Sequence, residues 1–115
     1  MAAGRITDEY MRKTLETTKQ YTVVILHRTS MRQEPYADKV VWEHGRRNFE
    51  LRRDGLLCIV CPVIKDQSDV AGLGIFSTGI VETRRIMDED PAVKEGIFIY
   101  EVHLVDGFPG DALAV

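Results

Sequence analysis

Two periods of apolar spacing run along the 115-residue chain and divide it into helices and strands. Thr7 precedes Asp8 and Glu9, the arrangement of an N-cap with acid in the first turn. Tyr10, Met11, Thr14 and Leu15 follow at helical spacing, which predicts a first helix over about residues 7–19. Residues 21–28 form an unbroken run rich in β-branched side chains, the mark of a strand covered on both faces. Pro35 suits the first turn of a long helix that runs to about Asp54 and stops at Gly55. Steps of four and three from Ala37 reach Val41, His44, Asn48 and Leu51, so a histidine and an asparagine one turn apart share the packing face. Residues 56–64 and 71–78 read as a hairpin around a polar turn at 65–69. Residues 79–89 have helical period through Ile80, Thr83, Arg84 and Met87 and stop before Pro91. Residues 97–104 supply a last strand with Phe98, Tyr100, Val102 and Leu104 on one face, and residues 105–115, with Gly107, Pro109 and Gly110, read as irregular.

Without the first helix the order is β-α-β-β-α-β, which predicts an α+β, ferredoxin-like domain: two helices on a four-stranded antiparallel sheet. The expected organisation is an N-terminal helical extension (1–20), the α+β domain (21–105) and a C-terminal tail (106–115). Helices cover one sheet face only, yet the strands are apolar on both. A homodimer formed by sheet-on-sheet packing supplies the missing cover. The extra N-terminal helix is free to cover an edge or extend that interface.

Composition narrows the function class. At 44% hydrophobic and 29% charged residues the chain reads as one globular domain. The longest apolar stretches are too short to span a bilayer, and residues 1–9 turn acidic where a signal peptide needs its apolar core, so the expectation is a cytoplasmic protein with no membrane partner. Residues 1–55 hold 11 Lys and Arg against 8 Asp and Glu, whereas residues 56–115 hold 4 against 10. The net charge of −3 argues against nucleic acid as a partner. Arg46, Arg47, Arg52 and Arg53 read as a solvated helix face. Cys58 and Cys61 form a lone CxxC inside a strand-like run, where positions i and i+3 face opposite ways, and read as two buried thiols.

Three features, in order, resemble the YCII-related proteins. His44 is followed eleven residues later by the glycine of Gly55-Leu56-Leu57; Pro62 stands seven residues after that glycine; and Asp90-Pro91-Ala92-Val93-Lys94-Glu95-Gly96 leads into an apolar strand. The resemblance covers about residues 21–104. It departs from the family pattern at Cys61, where glycine usually precedes the proline. What it implies is a small homodimeric α/β barrel with a pocket and a His-Asp dyad, which maps onto His44 and Asp90. One relative of this type eliminates chloride from a chlorinated hydroxyquinol, and the fold is similar to those of muconolactone isomerases and small barrel monooxygenases. Fold likeness alone does not transfer chemistry.

A histidine held by a carboxylate can move a proton with no cofactor, because the carboxylate fixes the tautomer and leaves the other ring nitrogen as base or acid. His44 and Asp90 are thus the candidate catalytic pair for an isomerase or elimination reaction on a small aromatic or hydroxylated substrate. Asn48, Cys61 and Pro62 are candidate substrate contacts. No Gly-rich phosphate loop or metal-ligand cluster stands in the sequence, so neither cofactor nor metal is expected. Two other readings stay open: Asp90, Pro91 and Gly96 also spell an N-cap, a first-turn proline and a helix-ending glycine, and the whole protein also fits a non-catalytic small-molecule-binding or regulatory dimer. His27 and His103 lack a third ligand at metal spacing and read as strand-end polar residues. Trp42 and Phe49 read as interface or core aromatics.

Overall fold

The computed structural model describes residues 4–64 and 67–115. The polar turn expected at 65–69 therefore lies partly outside the described residues, as do the first three residues. The elements are α1 (Asp8–Leu15), β1 (Lys19–Arg28), a 3-10 turn (Ser30–Gln33), α2 (Ala37–Arg53), β2 (Leu57–Pro62), β3 (Val70–Phe76), α3 (Ile80–Asp88), α4 (Pro91–Lys94) and β4 (Phe98–Gly107). The four strands form one antiparallel sheet in the order β2-β3-β1-β4. This mixed α+β arrangement is compatible with a ferredoxin-like fold. Among the described residues no helix is long and apolar enough to cross a membrane.

Strand alternation divides the sheet into two unlike faces. On β1, Thr22, Val24 and Leu26 are buried on the inner face, against Phe76 of β3, Leu57 of β2 and Phe98 of β4. α2 presents Ala37 and His44 to this core, α3 adds Thr83, Ile86 and Met87, and Ala92 of α4 closes the layer. Each large side chain sealed there contributes about 1.5–3 kcal/mol of transfer free energy. Buried Thr22 is satisfied by donating to the Thr78 carbonyl at 2.8 Å. The outer face, with Val23 and Ile25 on β1 in register with Ile75 and Leu73 on β3, has no layer of the described residues over it.

Several boundaries differ from the sequence expectations. The long helix starts at Ala37, not Pro35, because Pro35 and Tyr36 form a turn closed by Ala37 N donating to the Glu34 carbonyl at 3.0 Å, and the helical ladder begins after it, with Val40 N donating to the Tyr36 carbonyl at 3.4 Å. α1 ends at Leu15 and β1 begins at Lys19, inside the expected helical extension, because Lys19 and Gln20 pair with Gly107 and Asp106. The same pairing makes residues 105–107 part of β4 and not an irregular tail. Arg84 is exposed and Ile86 takes its place in the core, and Leu104 is 47% exposed. Cys58 is exposed and Cys61 half-buried, correcting the reading of two buried thiols. Cys58 falls where the β2–β3 register shifts between Leu57 and Ile59, which takes it off both packed faces.

Candidate functional site

The site is built by one long helix and one short cap. The inward stripe of α2 carries His44, 8% exposed, and one turn later Asn48. Asp90 is fully buried as the N-cap of α4, where its Oδ2 accepts from the backbone N–H of Ala92 at 2.9 Å and of Val93 at 3.3 Å. Pro91 opens this turn and Gly96 leaves it at φ +73°, a left-handed conformation that favours glycine. The capping reading of Asp90 is thereby observed, and it uses only one carboxylate oxygen. The other, Oδ1, accepts from His44 Nδ1 at 2.8 Å, with the Arg47 guanidinium 3.7 Å away.

This geometry sets the imidazole tautomer. A carboxylate only accepts, so Nδ1 of His44 carries the proton and Nε2 of the neutral ring has a free electron pair. The Asn48 side-chain nitrogen lies 3.2 Å from Nε2 and donates to it. Phe98 packs edge-on against the ring, with centroids 5.2 Å apart, and holds its plane. Arg47 donates through Nη2 to the Ile86 carbonyl at 2.7 Å, and its Nη1 is buried without a hydrogen-bond partner among the described residues. The arginine expected on a solvated face is in this one case turned inward, beside Asp90.

His44 and Asn48 stand at the edge of a cleft of about 300 Å³ between α2 and the inner sheet face. Leu26, Val60, Phe76 and Phe98 make its walls and Gly72 and Gly74 its floor. A Cβ on Gly74 would come within 2.9 Å of Leu57 Cδ1, so the absent side chain at this position is part of the shape. Pro62 also lines the cleft; Cys61 borders it, but its register with Leu73 places its side chain on the outer sheet face, which corrects the expectation that it contacts a substrate there. Asp90 does not: it sits behind His44 and reaches the cleft only through the ring. Among the described residues no Asp, Glu, Lys or Arg side chain lines the cleft. Trp42 and Phe49, 71% and 65% exposed, project from α2 and so are neither core residues nor covered by this chain.

A second constellation escapes the sequence reading. On the outer sheet face His27 Nε2 lies 2.6 Å from Glu101 Oε1, His27 Nδ1 lies 3.0 Å from Asp69 Oδ1, and His103 Nε2 lies 2.6 Å from Glu101 Oε2. The strand-end histidines are thus joined through a shared carboxylate. The pattern Glu101-x-His103 on one strand face was the available signal; the approach of Asp69 from the loop before β3 had none. The flanking carboxylates raise the His27 pKa, Glu101 first, and the two histidines lower that of Glu101, His103 first. Among the described residues no group of three or more His, Cys, Asp or Glu is placed to hold a metal ion. No family model matches the chain, and no curated protein matches it.

Proposed function

We propose that the chain is a YCII-like homodimer of the dimeric α/β-barrel type that performs cofactor-independent proton transfer on a small, uncharged, aromatic or hydroxylated substrate. His44 acts as general acid and base, and Asp90 is its positioning residue. The observation that carries this reading is the hydrogen bond of 2.8 Å from buried His44 to a carboxylate already anchored by two backbone N–H groups, with the opposite ring nitrogen at the rim of an apolar cleft. Nε2 takes a proton from a C–H or O–H of the substrate, Asp90 stabilises the imidazolium, and the proton returns at another atom or the electron pair expels a leaving group. An isomerisation and an elimination are the two outcomes of that step. The charge-free lining favours an uncharged ligand, since a carboxylate or phosphate entering it would lose its hydration without meeting a cation.

One observation favours the alternative, a non-catalytic ligand-binding or regulatory dimer: Asn48 already occupies Nε2. A substrate must displace that amide, whereas a merely bound ligand need not. Titration of the protein with uncharged phenols and hydroxyquinols, followed by turnover measurements on those that bind, separates the two. A catalyst carrying His44→Gln keeps its affinity and loses about 10²–10⁴ in kcat. A binding module shows no turnover in either form and loses affinity in the variant.

A further inference from the structure

We propose that, where two copies of this chain pack through their outer sheet faces, the His27–Glu101–His103–Asp69 cluster on that face makes the association depend on proton binding. The proposal rests on the homodimer reading above and adds its regulation.

The surface is one side of a two-layered molecule. Val23, Ile25, Leu73 and Ile75 form its apolar field, Ile59 stands in register with Ile75, and Ile99 is 59% exposed beside them. With Cα extents of 55 × 32 × 22 Å and a radius of gyration of 17.0 Å, the chain is well above the ~13 Å of a compact domain of about this size. A flat apolar sheet face packs best on another sheet face, and a second copy offers an identical one. The acidic flank disfavours a nucleic acid or an anionic lipid surface as occupant. Four strands of 10, 6, 7 and 10 residues present roughly 500 Å² of face, so two copies cover about 1,000 Å², the scale of weak associations. In an interface of that size a change of charge state is enough to shift the equilibrium.

The cluster supplies that charge. Both ring nitrogens of His27 face carboxylate oxygens, which only accept. A neutral imidazole has one N–H, so the arrangement is fully bonded only when His27 is an imidazolium. With both histidines protonated the four residues are neutral; with both neutral they carry −2 on each copy. Among the described residues Glu101 and Asp69 are the charged groups facing His27, and His27 and His103 those facing Glu101. On β1 the neighbouring Arg28 is engaged elsewhere, donating to the carbonyls of Ser68 at 3.1 Å and Val63 at 3.0 Å. Lys19 and Tyr21 on β1 and Cys61 on β2 are the remaining titratable side chains among the described residues in register on this face. Covering the cluster with an identical copy therefore draws protons onto the histidines. Association is tightest where the His27 imidazole is already charged and weakens as pH rises through and above its titration, the proton taken up on association weakening it tenfold per pH unit.

Sedimentation equilibrium of the full chain between pH 5.5 and 8.5 at fixed ionic strength tests this. The expected result is a dimer whose Kd rises at least tenfold over the range. His27→Gln reduces that slope and holds the Kd near its weak, high-pH value, and Glu101→Gln reduces it while holding the Kd near its tight value. Circular dichroism confirms that the variants fold, since both positions lie on the sheet surface. A dimer with the same Kd at every pH overturns the proton dependence and leaves the homodimer reading standing. A monomer at all pH values overturns both.

Discussion

Removing the Asp90 carboxylate tests the site and the fold together. Asp90 is fully buried and accepts from His44 Nδ1 and from the N–H groups of Ala92 and Val93. Asp90→Ala deletes an N-cap, at about 1 kcal/mol. It also strands the buried His44 N–H and takes away the anion beside Arg47, at about 1–3 kcal/mol for the unpaired donor. The expected loss is about 2–4 kcal/mol, which at this chain length lowers Tm by about 8–16 °C. Asp90→Asn separates the cap from the charge. Asparagine caps as well as aspartate, so the loss falls to about 1 kcal/mol. Its amide nitrogen then faces His44 and donates to Nδ1, moving the ring proton to Nε2. Urea unfolding measures the stabilities, and long-range ¹H–¹⁵N NMR of the imidazole reads the tautomer. A loss below about 1 kcal/mol for Asp90→Ala, or an unchanged His44 tautomer in Asp90→Asn, refutes the claim that this carboxylate holds the ring.

Gly74→Ala puts a methyl 2.9 Å from Leu57 Cδ1 and costs about 1–3 kcal/mol while narrowing the cleft, as thermal unfolding and ligand titration would report. Tyr10→Ser and Leu15→Ser leave monomer stability within about 0.5 kcal/mol by urea unfolding, because both side chains are more than half exposed and α1 buries no residue. The His27 pKa is raised above 6.5 by Glu101 and Asp69. The stability it contributes is fully present below pH 6.5 and is lost as pH rises through the raised value, so Tm of wild type relative to His27→Gln narrows across that interval.

How much of this was legible depends on how local each signal is. The α2 stripe through Val41, His44 and Asn48 and the turn spelled by Asp90, Pro91 and Gly96 lie within short windows, and both elements form where the pattern places them. The meeting of His44 and Asp90, 46 residues apart, was expected only through a resemblance to a family, since no local pattern reports it. Pro35 marks the approach to α2 but not its first residue, because the turn over Pro35 and Tyr36 closes on the Glu34 carbonyl before the helical ladder begins, and which of the two bonding patterns a first turn takes is not written in the local sequence. The start of β1 at Lys19 and the exposure of Cys58 follow from pairing with distant strands, and the register shift beside Cys58 leaves no trace in composition. Asp69 joins His27 from a loop for the same reason.

The claim at the centre of this account is that Nε2 of His44 exchanges a proton with a ligand in the apolar cleft. Incubating the protein in D₂O with those uncharged phenols and hydroxyquinols that bind it, and following deuterium entry at carbon by NMR, tests that claim most directly. The account predicts exchange with wild type on at least one bound compound and its loss by about 10²–10⁴ in His44→Gln. Exchange that persists undiminished in His44→Gln, or bound compounds that never exchange, contradicts it.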